Sequence, residues 1–134
     1  MDLQGGPADR SAPIVELAAI TVDCLDLRPM IDFYAQAFGA RTSHENDTGA
    51  WIHLDQGPLI LLRRVEGYQA PTWPPQQDVP IQFHLELWID DLDEAESRLQ
   101  ALGAVSCDFQ PHRAQGNVVM LDPAGHPFCI GTRV

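Results

Sequence analysis

Leu25-Asp26-Leu27-Arg28-Pro29-Met30-Ile31-Asp32-Phe33-Tyr34-Ala35-Gln36-Ala37-Phe38-Gly39-Ala40 decides the fold, because the chain writes its plan a second time, 64 positions on (25 to 89). Leu27, Met30, Ile31, Tyr34, Ala35 and Phe38 fall on one stripe at the three–four spacing of an amphipathic helix. Asp26 stands where an N-cap belongs, and Gly39 where a left-handed C-cap stops the helix. The answering stretch runs from Ile89-Asp90-Asp91-Leu92 to Gly103-Ala104, with Leu92, Ala95, Leu99 and Leu102 as its stripe. The echo extends further. Leu54-Asp55-Gln56-Gly57-Pro58 is answered by Leu121-Asp122-Pro123-Ala124-Gly125-His126-Pro127, and Arg64-Val65 by Arg133-Val134. Two copies of one unit predict a pseudo-twofold fold, with function in the cleft where the copies meet.

Working outward, a strand is expected at Val15–Asp23, before the first helix. Three more are expected at Arg41–Glu45, Ala50–Leu54 and Leu59–Val65. The second copy repeats this order, with strands at Ile81–Ile89, Val105–Phe109, Asn117–Leu121 and Phe128–Arg133. Each half therefore reads β-α-β-β-β. The class is α+β, with both modules forming a curved mixed sheet around a cleft. Residues 1–13 carry no periodicity and read as a mobile, disordered tail. Module one then spans 14–65, the proline-rich linker 66–80 and module two 81–134 of a single domain.

A chain of 134 residues is long enough to bury roughly two-thirds of its unfolded surface, so it needs no disulfide or metal to fold. Nineteen acidic against eight basic residues give a net charge of −11, which argues against nucleic acid and anionic membranes as partners. No apolar run approaches the roughly 18 residues of a membrane span, and residues 1–13 lack the pattern of a signal peptide. The three cysteines, Cys24, Cys107 and Cys129, read as reduced thiols of a cytoplasmic protein.

Alternation assigns the faces. In the strand opening module two, Phe83, Leu85, Leu87 and Ile89 share one face, and His84, Glu86 and Trp88 the other. If Ile52 and Leu54 pack inward, Trp51 and His53 look the other way, and Arg63 is ambiguous. These residues with Cys129 outline an amphipathic pocket suited to a small organic ligand with a planar or cationic part. Asp90, Asp91, Asp93 and Glu94 read as cap and dipole complement of the second helix rather than a metal loop. Trp73 is either a wall of the cleft or a surface aromatic pinning the linker. Tyr34 reads as core, and His126 as a partner of its own turn backbone. Cys24, His44 and His112 have no evident partner. No nucleophile elbow, phosphate-cradling loop or dinucleotide fingerprint is present.

The ordered set of motifs resembles the vicinal-oxygen-chelate superfamily: glyoxalase I, bleomycin-resistance proteins and extradiol dioxygenases. The resemblance covers Ile14 to Val134. It rests on Asp26 through Ile31-Asp32-Phe33-Tyr34 to Phe38-Gly39, on Phe83-His84-Leu85 through Asp90 to Leu102-Gly103-Ala104, and on Leu121-Asp122-Pro123-Ala124-Gly125. His126-Pro127-Phe128-Cys129 points within it to glyoxalase-like domains. It implies a homodimer, and in the family's enzymes a divalent metal held by about three strand residues. Carried over position by position, those ligands fall on His84, Ala19, Cys129 and, within a residue or two, Ile60. One good ligand remains, so neither a metal nor another cofactor is expected.

The function expected is binding of a small organic molecule in the cleft, without a metal. The alternative is a metal-independent lyase or isomerase using His84 and Glu86 as acid and base. Less favoured are a metal-dependent glyoxalase or dioxygenase, and a His84 that is merely a hydrogen-bonded structural residue.

Overall fold

In the computed structural model, which describes residues 17–74 and 84–133, the repeat becomes two four-stranded sheets of identical plan. Module one contains β1 (Ala19–Cys24), α1 (Leu27–Phe38), β2 (Arg41–Ser43), β3 (Gly49–His53) and β4 (Leu59–Arg64). Module two contains β5 (Leu85–Ile89), α2 (Leu92–Ala101), β6 (Val105–Ser106), β7 (Asn117–Leu121) and β8 (Pro127–Thr132). The strand orders are β1-β4-β3-β2 and β5-β8-β7-β6. In each, the first strand pairs in parallel with the fourth, and the other pairings are antiparallel.

Both helices form where the apolar stripes predict. Helix α1 buries Leu27, Met30, Ile31, Phe33 and Tyr34, each large apolar side chain worth about 1.5–3 kcal/mol when fully buried. Gly39 closes it in the left-handed region (φ 59°), which lets Ala40 donate its N–H to the Ala35 carbonyl at 2.7 Å. Asp26 occupies the N-cap position, but its side chain makes no capping bond. Asp91 does cap α2, accepting from the Glu94 N–H at 3.0 Å. The expected acidic cluster thus supplies that cap and, with Asp93 and Glu94, the negative first turn that a helix dipole favours.

Several boundaries shift. The expected residues of the first strand up to Glu16, and Ile81 to Phe83 of the strand opening module two, lie outside the described residues. The strand expected at Val105–Phe109 stops at Ser106. Beyond it the Gln110 side-chain amide reaches Val119, accepting from its N–H at 2.8 Å and donating to its carbonyl at 2.7 Å. A side chain thereby takes over part of the ladder. A single 3-10 turn at Arg113–Gln115, not anticipated, leads into β7.

The inward faces of both sheets join in one core. Phe33 of α1 lies 5.8 Å from Phe128 of β8, ring centre to ring centre, and both are almost fully buried. Tyr34 donates its hydroxyl to Oδ2 of Asp122 at 2.7 Å. It is core, as expected, and it is also a polar bridge between modules. His126 was expected to bond its own turn. Its backbone N–H does, reaching Oδ1 of Asp122 at 3.0 Å, but its ring crosses to the Asp23 carbonyl of β1 at 2.6 Å. Tyr68 of the linker completes the junction by donating to the Ala124 carbonyl at 2.8 Å.

Candidate functional site

With helices and core on one side, the opposite face of each sheet lies open. On β5 and β8 the register pairs Glu86 with Cys129 and Trp88 with Gly131, while Leu85, Phe128 and Ile130 point into the core. Glu86, Trp88 and Cys129 consequently share the open face, and His84 joins them one residue before the strand. Nε2 of His84 lies 2.6 Å from Oε2 of Glu86, a short hydrogen-bond contact. His84, Glu86 and Cys129 bring one donor atom each within 4.8 Å of one another. His84 is therefore not isolated, as motif matching alone implies.

The electrostatics of this trio favour a neutral thiol. Burial, then the Glu86 carboxylate, pushes the Cys129 thiol up to about 12. Trp88 is 66% exposed, and the Arg133 guanidinium sits 4.4 Å from its ring centre. The ring thus already accepts a cation on its face.

The open face of module one holds the other expected residues. Cross-strand pairing aligns Ser43 with Trp51, Trp51 with Leu61 and Leu61 with Thr21, and Arg63 with Asp23. Arg63, ambiguous in sequence, belongs to this face, where it forms a two-pronged ion pair with Asp23 at 3.0 and 3.2 Å. Both partners are exposed, so the pair adds little stability. His53 bonds Ser43, and His44, partnerless in sequence, stacks on Trp51. Gly49 lies opposite Arg63 and leaves no room for a side chain, because a Cβ there would strike the Leu62 carbonyl oxygen.

The structure therefore divides the expected pocket. His84, Glu86, Cys129 and Trp88 gather on module two, and Trp51, His53 and Arg63 on module one. Between β1 and β5 lies a cavity of about 540 Å³ whose lining includes Ala19, Thr21, Tyr34, His84, Leu85 and His126. This is the meeting place of the two copies, with His84 at its edge. Trp73 pins the linker, donating its ring N–H to the Phe109 carbonyl at 3.0 Å.

The donor set suggested by the resemblance is present only in part. Of the four positions, Ala19 offers a methyl group, Ile60 is core, His84 offers an imidazole, and Cys129 a thiol. Glu86 adds a carboxylate beside His84, so that His84, Glu86 and Cys129 together form a group of three donors that could hold a metal ion. One of the three is a sulfur donor, which a hard, oxygen-seeking ion does not favour.

Comparison with known proteins follows the same outline. The model of a family described as a glyoxalase-like domain matches residues 19–131. No curated protein matches the chain. Among solved structures, a genomically encoded fosfomycin resistance protein, FosX, from Listeria monocytogenes is similar with a TM-score of 0.67 and 23% identity, covering 91% of this chain and 94% of that one. A variant of that protein, described as complexed with Mn(II) and dihydroxypropylphosphonic acid, gives 0.68 at 20% identity, covering 91% and 93%. A glyoxalase/bleomycin resistance protein/dioxygenase family enzyme from Burkholderia phytofirmans PsJN gives 0.65 at 20%, covering 90% and 100%. At such identities these neighbours speak to fold.

Proposed function

The chain belongs to the glyoxalase-like domain family, and on that premise we propose that it binds a small organic molecule at the His84–Glu86 face without a resident metal. The observation that carries this reading is the 2.6 Å contact between His84 and Glu86, with the Cys129 thiol beside it and Trp88 on the same face. The face offers a carboxylate, an imidazole and an indole that already holds a guanidinium. A ligand with a planar cationic part would replace Arg133 on Trp88 and place its polar end toward Glu86. The acidic balance of the chain, −11, favours the approach of such a molecule.

The pocket is completed by a second copy of the chain. Neither open face has a covering layer among the described residues, although each carries an exposed tryptophan, Trp51 at 38% and Trp88 at 66%. A twofold axis sets module one of one copy over module two of the other, twice, and so unites Trp51, His53 and Arg63 with His84, Glu86 and Trp88. Sedimentation velocity at micromolar concentration should then show a dimer, which Trp88→Asp dissociates. A chain that stays monomeric leaves the composite pocket without support.

The contact also favours a second reading, metal-independent acid–base catalysis. Glu86 takes a proton from a bound substrate, and His84, held against it, delivers one back. Incubation with a metabolite extract followed by native mass spectrometry tests both readings. A compound retained unchanged supports binding, and a compound consumed supports catalysis. Neither outcome with any fraction would leave His84 a structural residue.

A further inference from the structure

Ser43 and His44 play no part in the reading above, yet they form a cluster with the signature of an activated hydroxyl. Ser43 Oγ lies 2.5 Å from Nε2 of His53 and 2.9 Å from Nδ1 of His44. One hydroxyl carries one proton, so it donates to one ring and accepts from the other. The contact suits His53 as the acceptor. Partial burial, and then the charges of Arg41 and His44, lower its pKa, the direction that favours a neutral ring able to accept. With His53 accepting, His44 donates through Nδ1–H.

Two features fix where the His44 ring sits. It stacks on Trp51 with centroids 3.8 Å apart and planes 25° from parallel. Its backbone sits at φ 54°, a conformation adopted by only a few per cent of non-glycine residues and enriched where structure serves a site. His44, alone of the three, also lines a groove of about 390 Å³, with Thr21, Trp51, Leu61 and Arg63.

We propose that Ser43 is a nucleophile, its hydroxyl polarised between His53 as base and His44 as hydrogen-bond donor, acting on a small activated ester whose apolar part lies against Trp51 and Leu61. Oγ forms the bond to the acyl carbon as the bond to the leaving alcohol breaks. The hydroxyl proton passes to Nε2 of His53 and on to the departing oxygen. Water then attacks the acyl-serine, giving its proton to His53, which returns one to Oγ as the acid leaves. The arrangement uses side chains of module one alone, so it holds whether or not a second copy covers the face.

The full chain is treated with a fluorophosphonate probe and the adduct located by peptide mass spectrometry, alongside hydrolysis of p-nitrophenyl acetate. The expected result is one adduct, formed with loss of fluoride, on Ser43. Hydrolysis should fall about 100-fold or more in Ser43→Ala and His53→Gln, the range for loss of a positioned acid or base. Ser97→Ala, exposed on α2, should match the parent. No adduct, an adduct elsewhere, or full hydrolysis by Ser43→Ala overturns the proposal. The mapping uses the unsubstituted chain, so a poorly folding variant does not blunt it. Ligand retention at His84 is read separately and can fail without it.

Discussion

Asp122→Ala is expected to lower the free energy of unfolding by about 3–5 kcal/mol, summing the cost of the groups it strands. Asp122 is 3% exposed and serves three donors. Its Oδ2 accepts from the Tyr34 hydroxyl at 2.7 Å, and its Oδ1 accepts from the N–H groups of Ala124 at 2.8 Å and His126 at 3.0 Å. Alanine leaves a buried phenol without its partner and loosens the turn that aims His126 at the Asp23 carbonyl. The loss falls on the seam between modules, so both should unfold together in urea, with an earlier midpoint. A change below about 1 kcal/mol, no more than a typical single hydrogen bond, would contradict this account of the seam. The same bond has a pH signature. Burial, then the charge and hydrogen bond of Asp122, raise the Tyr34 pKa well above its ordinary 10.0. Above pH 10 the unfolded chain loses that proton first, so the stability Tyr34 contributes is intact below pH 10 and declines above it.

The second large effect belongs to the candidate site. Glu86→Gln keeps the shape of the side chain but removes its charge, and His84→Ala removes the other half of the contact. Each should weaken binding of the retained compound about tenfold or more, since charged hydrogen bonds are worth about 1.5–3 kcal/mol. If the compound is turned over, the rate should drop about 10²–10⁴-fold, the range for a positioned acid or base. The double variant should lose less than the sum of the singles, because the two side chains act as one unit. Unchanged affinity in both, measured by titration calorimetry, would remove this face from the function.

What the sequence disclosed, and what it withheld, follows from the range of each signal. Helix stripes, the Gly39 stop and strand alternation are local, and they placed both modules and the open-face positions of Glu86, Trp88 and Trp51. Alternation names the face a side chain occupies but not which faces meet. Alternation alone therefore puts Trp51 and His84 in one pocket, and the structure sets them on separate sheets. The Tyr34–Asp122 bond spans 88 positions, and nothing in the apolar stripe marks Tyr34 as a polar bridge. His44 was opaque because its partner, Trp51, lies across a turn and the contact depends on a left-handed backbone. Motif matching counts one good ligand where folding gathers His84, Glu86 and Cys129, because Glu86 stands outside the positions that the resemblance carries over.

The central claim is that this face binds its ligand through side chains alone. The direct measurement is elemental analysis of protein purified without chelators, paired with calorimetric affinity for the retained compound before and after dialysis against EDTA. The account predicts metal well below one equivalent per chain and the same affinity on both sides of the dialysis. One equivalent of a divalent metal, with binding that vanishes on chelation and returns when Mn²⁺ is restored, would contradict it.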